Sequence, residues 1–225
     1  MMMNYLLLWC VTALLPEPAP GTVRDIDGNI YHTVTIGDQV WLQENLVVTH
    51  YANGDPIPHI TNDSAWTAAT EGAFCYYRND TTDAAVNGLL YNAFVLADSR
   101  GIAPPGYRVA TNEDWQQLCA YMGADTSTLQ PGTTLEVKPP QPYDGTPMVF
   151  YLMGEESPFK GIKVGLRMAD SRFGGRDYQC YWWSASTYSS NSAYAVMHSN
   201  MYVGTWFYPI TVLKTVGLPI RCIKE

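Results

Sequence analysis

Hydrophobic and polar residues alternate most regularly near the start of the chain. The stretch IYHTVTI (30–36) alternates, is rich in β-branched residues, and lies between the dipeptides Asp-Gly (27–28) and Gly-Asp (37–38). Alternation predicts a half-buried strand, because successive side chains in a strand point to opposite faces. Since these dipeptides favour tight turns, we predict β-hairpins over residues 23–46.

Three acidic or amide residues in the first of these turns offer a second interpretation. Asp25, Asp27 and Asn29 resemble the start of a calcium-binding loop. The Glu that closes such a loop is absent, so the pattern favours a turn.

A helical period appears in TNEDWQQLCAYMG (111–123). Thr111 and Asp114 resemble a capping pair, and Gly123 supplies a stop. The spacing predicts a helix whose buried face consists of Trp115, Leu118, Cys119 and Met122.

The remaining chain has weaker patterns. Residues 49–87 are rich in Asn, Asp, Thr and Pro, which predicts loops with one short helix over 64–70, capped by Ser64. Residues 132–175, with many Gly and Pro residues, predict loops and short strands. Apolar stretches predict a helix over 88–97 and strands over 180–186 and 217–225.

The C-terminal quarter has an unusual composition. Residues 178–213 contain no Asp, Glu, Lys or Arg, and MYVGTWFYP (201–209) has four aromatic residues. The aromatic run breaks period-two alternation, and Pro209 disfavours a central strand, so we predict that 201–212 lies on an exposed surface. In contrast, we predict that Trp182 and Trp183 are buried.

Tyr and Trp beside Ser, Asn and Thr are typical of a binding surface. Aromatic side chains give a large contact area with few rotatable bonds, and small polar side chains give adaptable hydrogen bonds. We therefore expect a protein or glycan ligand. The candidate ligand-binding residues are Tyr188, Asn191, Tyr194, Met197, His198, Asn200, Met201, Tyr202, Thr205, Trp206, Phe207, Tyr208, Thr211 and Val212.

Composition excludes several other functions. The chain of 225 residues has a net charge of −8, which disfavours nucleic acid and anionic membrane as partners because phosphate contacts need Lys and Arg. We expect no membrane insertion of the domain. The five cysteines show no zinc-binding spacing. We expect Cys119 to be a reduced core residue, and the spacing leaves one disulfide open among Cys75, Cys180 and Cys222.

The first twenty-one residues form a segment of their own. Residues 1–15 are mostly apolar, and PEPAPG (16–21) reads as a stiff linker. The apolar part has the length of a signal-peptide core but lacks the positive region before it. The alternatives are an export signal and a segment packed on the domain or on a partner. Residues 22–225 would form one domain.

Several stretches resemble a known family. DIDGNIYHTVTIGDQVWLQENL, FCYYRND, LLYNAFV, APPGYRVATNEDWQQL, YWWSAS and GLPIRCIKE occur in the same order in the Fibrobacter succinogenes major paralogous domain. The resemblance implies an α+β, C-type-lectin-like fold of the formylglycine-generating-enzyme variety, with short twisted antiparallel sheets, one or two helices and extensive loops. Ala103 stands where many members have Cys, so the resemblance implies no particular disulfide.

The resemblance also implies a function. Domains of this kind are frequent targets of diversity-generating retroelements in gut bacteria and their phages, which rewrite Asn codons in a C-terminal region, here about 178–216. From Tyr194 to Val212 most residues are reachable from such codons, whereas Met197, Met201 and Trp206 are not. We therefore expect a variable receptor-binding protein outside the cell, on a cell surface or a virion.

Two alternatives remain. The first is a fixed surface adhesin or structural module. The second is an enzyme like the formylglycine-generating branch, which would need reactive thiols; Cys180 and Cys222 have no His or Lys close in sequence, so we expect no enzyme. The four histidines, His32, His50, His59 and His198, are scattered and are interpreted as surface residues. We expect no cofactor, although a structural calcium near Asp80 or Asp83 stays open.

Overall fold

The computed structural model describes residues 18–82, 84–121, 135–136, 153, 157–199 and 206–225. Its α-helices are α1 (Asp63–Thr67), α2 (Ala84–Asn87) and α3 (Asn112–Tyr121), and 3₁₀ helices span Tyr77–Asn79 and Ala93–Ala97. Its strands are β1 Thr22–Arg24, β2 Ile30–Ile36, β3 Gln39–Leu42, β4 Phe74–Cys75, β5 Leu90–Tyr91, β6 Tyr107–Val109, β7 Leu135–Glu136, β8 Leu166–Arg167, β9 Phe173–Gly174, β10 Gln179–Thr187, β11 Ser192–Ser199, β12 Trp206–Leu213 and β13 Cys222–Lys224. The fold is therefore α+β and mostly β. No helix in the described ranges is long and apolar enough to cross a membrane.

A five-stranded antiparallel sheet joins the two ends of the domain. Its order is β1-β2-β3-β13-β6, so the C-terminal strand β13 lies between strands from the first half of the chain. The hairpins predicted over 23–46 are confirmed. Gly28 and Gly37 sit at their turns with φ of 89° and 60°, a region that side chains disfavour.

A second antiparallel sheet has the order β10-β11-β12-β7. Strands β10 and β12 flank β11, with Trp182 opposite Val196 and Val196 opposite Pro209. The short strand β7 pairs with Trp206 and Phe207. This sheet carries most of the uncharged C-terminal region.

An aromatic cluster joins the two sheets and α3. The Trp182 ring stacks on Trp115 with centroids 5.5 Å apart, and Trp41 lies 4.8 Å from Trp115. Trp183 lies on the other face of β10, in a separate core cluster, where its indole N–H donates to the Tyr91 carbonyl at 2.7 Å. Both predicted core tryptophans are fully buried, which confirms that prediction.

Arg221 anchors the segment that connects β12 of one sheet to β13 of the other. It is fully buried, and its guanidinium donates to the carbonyls of Leu42, Gln43 and Phe159 and to Oδ1 of Asn45. Burial lowers the pKa of Arg221 to about 9, so the group is still charged at neutral pH. Its charge is met by oxygen dipoles and by the Phe159 ring, 4.4 Å away.

Three predicted elements differ from the observed ones. The helix predicted over 88–97 is wrong in its first half: Leu90–Tyr91 forms β5, and a 3₁₀ helix begins only at Ala93. The short helix near 64–70 exists, but Asn62 caps it by accepting from the Ala65 amide at 2.9 Å. Of the strand predicted over 217–225, only Cys222–Lys224 pairs as a strand.

The predicted capping pair of α3 is confirmed. The Asp114 carboxylate accepts from the Thr111 amide at 2.7 Å, and the Asp114 amide donates to Thr111 Oγ1 at 3.3 Å. Trp115, Leu118 and Cys119 form the buried face. Met122 and Gly123 lie outside the described residues.

The same carboxylate forms a paired contact with Arg108, which gives a pH-dependent prediction. Burial raises the pKa of Asp114, but hydrogen bonds from Arg108 and Thr111 outweigh it and hold the pKa below its ordinary value. The stabilisation is therefore complete above pH of about 4 and is lost as the pH falls through the lowered pKa.

We expect Asp114→Asn to lower the free energy of unfolding by about 1–2 kcal/mol at pH 7. In urea unfolding, the difference in the free energy of unfolding between Asp114→Asn and the parent should narrow below a pH of about 4. Asp177→Asn, at an exposed position, should change the free energy of unfolding little at pH 7. A gap that widens on acidification would contradict this account.

Candidate binding surface

One end of the second sheet carries a group of exposed, uncharged side chains. Tyr188 and Leu213 are 53% and 50% exposed, and Asn191 and Thr211 are also exposed. Tyr194 is half-buried, and its ring meets the Tyr188 ring edge to face at 5.1 Å. We call Tyr188, Asn191, Tyr194, Thr211 and Leu213 the hairpin patch.

Local hydrogen bonds hold the hairpin patch in place. Tyr194 lies directly opposite Thr211, on adjacent strands. In the turn between β10 and β11, the Ser192 amide donates to Ser189 Oγ at 3.0 Å, and the Lys214 amide donates to the Asn191 carbonyl at 2.9 Å. The aromatic pair therefore sits on a hydrogen-bonded frame.

The opposite face of these strands packs inward. Ala193 and Ala195 are buried in the first core cluster, and Met197, Ile210 and Val212 pack against it. Met197 and Val212, both candidate ligand-binding residues, are thus half-buried on the core side. Of the candidates, the structure brings Tyr188, Asn191, Tyr194 and Thr211 together at the surface.

The other candidates lie outside the described side chains. The backbones of His198, Trp206, Phe207 and Tyr208 belong to strands β11 and β12, whose described part does not include their side chains. The positions outside the described residues altogether are Asn200, Met201, Tyr202 and Thr205.

Pro209 lies inside a strand, contrary to the expectation that it would keep this segment out of a central strand. The Lys214–Asn191 hydrogen bond marks a hydrogen-bonded pair, and such pairs alternate along an antiparallel ladder. Counting along the register, Val196 and Pro209 form a non-hydrogen-bonded pair, so the proline nitrogen points away from β11. On that side the described pairing with β7 involves Trp206 and Phe207, so the described ladders lose no strand hydrogen bond at Pro209. The predicted exposure of 201–212 holds for Thr211, whereas Ile210 and Val212 are half-buried.

Leu213 belongs to the hairpin patch but is not among the residues predicted from the sequence. It follows Thr211 by two positions, so both side chains point to the same face of β12. Alternation within the strand could have identified it once the strand was known.

None of the five side chains of the hairpin patch is charged, and two charged side chains close to it have contacts of their own. Glu113 accepts from Ser186 Oγ at 3.3 Å, and the Lys214 ammonium lies 5.9 Å from the Phe94 ring. Docking of an uncharged partner here would therefore desolvate little charge.

The described cysteines are poorly suited to nucleophilic chemistry. Cys75, Cys119, Cys180 and Cys222 are all free and buried, so the disulfide left open among three of them is not formed. Burial raises the pKa of Cys75 to about 11 and the pKa values of Cys119 and Cys222 further. Thiolate, the reactive form, is therefore scarce at neutral pH.

Thiol labelling tests this arrangement. In a Cys10→Ser variant, which leaves the four described cysteines, we expect slow reaction with Ellman's reagent at pH 7.5 because labelling requires local opening. Denaturation in guanidinium chloride should release all four thiols. A native thiol that reacts on mixing would contradict the buried placement and favour the enzymatic alternative.

In the calcium-like pattern at the first turn, the Asp25 carboxylate accepts hydrogen bonds from the protein itself. Asp25 accepts from the Asp27 and Asn29 amides and from the Tyr31 hydroxyl, the last at 2.6 Å. This geometry confirms the turn. Asp80 accepts from the Thr82 amide and hydroxyl, and Asp83 lies outside the described residues. No group of three or more His, Cys, Asp or Glu side chains in the described ranges could hold a metal ion.

Three histidines have described side chains. His32 pairs with Glu44 at 2.7 Å, and His50 pairs with Asp27 at 2.6 Å. His59 stacks on the Phe74 ring, with centroids 5.0 Å apart. His32 and His59 are exposed and His50 is half-buried, in agreement with the predicted surface placement.

The model of the Fibrobacter succinogenes major domain matches residues 34–224. No curated protein and no solved structure matches the chain.

Proposed function

Because the chain belongs to the Fibrobacter succinogenes major domain family, we propose that it is a ligand-binding protein that presents a variable surface on a rigid frame. The hairpin patch is the described part of that surface. The observation that carries the proposal is the separation of roles within one sheet: Trp182 and Trp183 are fully buried, while Tyr188 and Thr211 are exposed.

We propose a C-type-lectin-like arrangement for the domain. Two features support it: the sheets are short and antiparallel, and the C-terminal strand β13 pairs with β3, close to the start of the domain. Such closure ties the ends of the chain together and leaves the connections between strands free to vary.

The ligand is a protein or a glycan, outside the cell or on a virion. The tyrosine pair offers aromatic area held at a fixed angle, and Asn191 and Thr211 offer hydrogen-bonding groups beside it. Rigid aromatic residues with adaptable polar neighbours are what a surface needs in order to accept different partners.

Diversification at Asn codons, by a retroelement, fits this separation. All five residues of the hairpin patch belong to the residue types that altered Asn codons can encode; four of them are exposed and Tyr194 is half-buried. Trp182 and Trp183 cannot arise from such codons, and both are buried. The alternative is a surface module with one fixed ligand, which would use the same patch without variation.

Two matched libraries test the proposal. One randomises the five residues of the hairpin patch. The other randomises five buried residues of β10 and β11, namely Trp182, Trp183, Ala193, Ala195 and Val196. We expect most members of the first library, and few of the second, to resist proteolysis. Selection of the first library on an immobilised soluble protein or a neutral glycan should yield binders.

Two outcomes would count against the proposal. If the first library unfolds as often as the second, the patch is part of the frame. If it folds but yields no binders to any target, the patch is not a recognition surface.

A further inference from the structure

A small cleft lies beside the FCYYRND stretch, away from the hairpin patch. Its lining includes Tyr76, Tyr77, Asp80, Asn87 and Arg176. The cleft is open to solvent, and its volume of about 10 Å³ is room for one water-sized group. We call it the arginine cleft.

The arginine cleft and the hairpin patch lie at opposite ends of β10. Arg176 precedes the first residue of this strand, Gln179, by three positions, whereas Tyr188 follows its last residue, Thr187. A strand of this length spans roughly 25–30 Å. A ligand in the cleft would therefore leave the hairpin patch open.

Two arginines flank one aromatic ring at the cleft. The guanidinium of Arg176 lies 5.3 Å from the Tyr77 ring centroid, and that of Arg78 lies 5.6 Å from it. Tyr77 is 8% exposed and also contacts Phe173, so the ring is a fixed element of the wall.

The cleft places a hydrogen-bond donor near an acceptor. Hydrogen bonds from Thr82, assisted by the charge of Arg176, hold the pKa of the Asp80 carboxyl below its ordinary value. Asp80 is therefore an acceptor at neutral pH, while Arg176 can only donate. Asn87 carries both kinds of group.

An aromatic platform adjoins the cleft. Tyr76, which lines it, meets the exposed His59 ring edge to face at 5.2 Å. His59 is stacked in turn on the buried ring of Phe74. Tyr76, part of the cleft wall, is thus in contact with two further aromatic rings.

The backbone on both sides of the cleft is in an uncommon conformation. Arg78 and Asn79 have φ of 55° and 57°, and Asp177, next to Arg176, has φ of 70°. Non-glycine residues with positive φ persist only where surrounding structure holds them, and they are often found at functional sites.

We propose that the arginine cleft binds a hydroxyl group of a neutral saccharide, whose ring rests on Tyr76. A hydroxyl donates and accepts at once, so it can bond both Asp80 and Arg176. Asp80 and Arg176, the two charged residues of the lining, offset each other's charge. A neutral group is therefore favoured over a carboxylate, which Asp80 repels, and over an ammonium group, which Arg176 repels. The site is independent of the proposed variable surface and would be the same in every copy of the protein.

Titration of the full chain with methyl glycosides tests the proposal. The probes are the methyl glycosides of glucose, galactose, mannose and N-acetylglucosamine at millimolar concentrations, followed by saturation-transfer NMR. We expect at least one of them to bind, and glucuronate and glucosamine to bind more weakly. Asp80→Ala and Arg176→Met should each weaken binding about tenfold or more, because each removes a hydrogen bond to a charged group.

The controls use a matched ion pair outside the cleft. Asp170 and Arg172 pair at 2.7 Å, and their side chains are 52% and 77% exposed. Asp170→Ala and Arg172→Met should leave binding unchanged. Should Arg176→Met fail to fold, Asp80→Ala tests the same site, since its side chain is exposed.

Three results would overturn the proposal: no neutral sugar binds, a charged sugar binds best, or the cleft variants bind as the parent does. The cleft variants and the hairpin-patch libraries are measured separately, so either proposal can fail while the other stands.

Discussion

Replacement of Arg221 by Met should lower the free energy of unfolding by about 4 kcal/mol or more, the largest effect expected for any single substitution considered for this chain. The guanidinium is fully buried and satisfies three carbonyls and the Asn45 amide oxygen. Methionine fills a similar volume but donates nothing, so these oxygens would stay buried without a partner. Because Arg221 links the segment after β3 with Phe159, the loss should unfold the domain as a whole.

Urea unfolding followed by tryptophan fluorescence measures this effect, with Arg172→Met as the matched control. Arg172 is 77% exposed and pairs with Asp170 at the surface, so its replacement should change stability by less than about 0.5 kcal/mol. Arg221→Lys should fall between the two, since an ammonium group can reach fewer of the oxygens. If Arg221→Met were as stable as the control, the guanidinium would not be holding these segments together.

Replacement of Trp182 by Ala should cost about 3–5 kcal/mol. The indole stacks on Trp115, contacts Phe159 edge to face, and donates to Asn45 Oδ1 at 2.8 Å. Alanine would leave a cavity where β10, α3 and the five-stranded sheet meet. Trp182→Phe should lose less, because part of the ring contact survives while the hydrogen bond does not.

Tyr188→Ala is the matched control, because it removes an aromatic side chain from the exposed end of the same strand pair. Its cost should be below about 1 kcal/mol, mainly the edge-to-face contact with Tyr194. Thermal unfolding of the three variants gives the comparison. Equal losses for Trp182→Ala and Tyr188→Ala would remove the distinction between frame and surface.

The sequence predicts individual strands and helices correctly where a single periodic pattern determines them. The alternation in 30–36 and the helical period in 111–123 each depend on neighbouring residues, and both predictions are confirmed. The helix predicted over 88–97 failed because both faces of Leu90–Tyr91 are buried, and a fully buried strand has no polar positions to reveal its period.

Long-range pairings could not be predicted in the same way. Insertion of β13 between β3 and β6 depends on contacts between residues far apart in sequence. The capping side chain of α1 was assigned to Ser64 rather than Asn62, since two neighbouring residues offer equivalent oxygens.

The candidate surface was predicted in outline only. Composition alone predicts a binding surface in this region, and four of the predicted residues do lie together at the surface: Tyr188, Asn191, Tyr194 and Thr211. Composition carries no information on strand register, however. It therefore does not separate these residues from Met197 and Val212, which pack toward the core. Leu213 was left out for the same reason.

The central claim is that the outward positions of the second sheet vary while the frame beneath them stays fixed. Sequencing many copies of this gene from one population, together with the adjoining DNA, tests it most directly. The claim predicts that substitutions cluster within about residues 186–216, at Tyr188, Asn191, Tyr194, Thr211 and Leu213 among others, with Trp182, Trp183 and Arg221 unchanged and a near-identical template nearby. Substitutions spread evenly along the chain, or identical residues at all five positions in every copy, would contradict it.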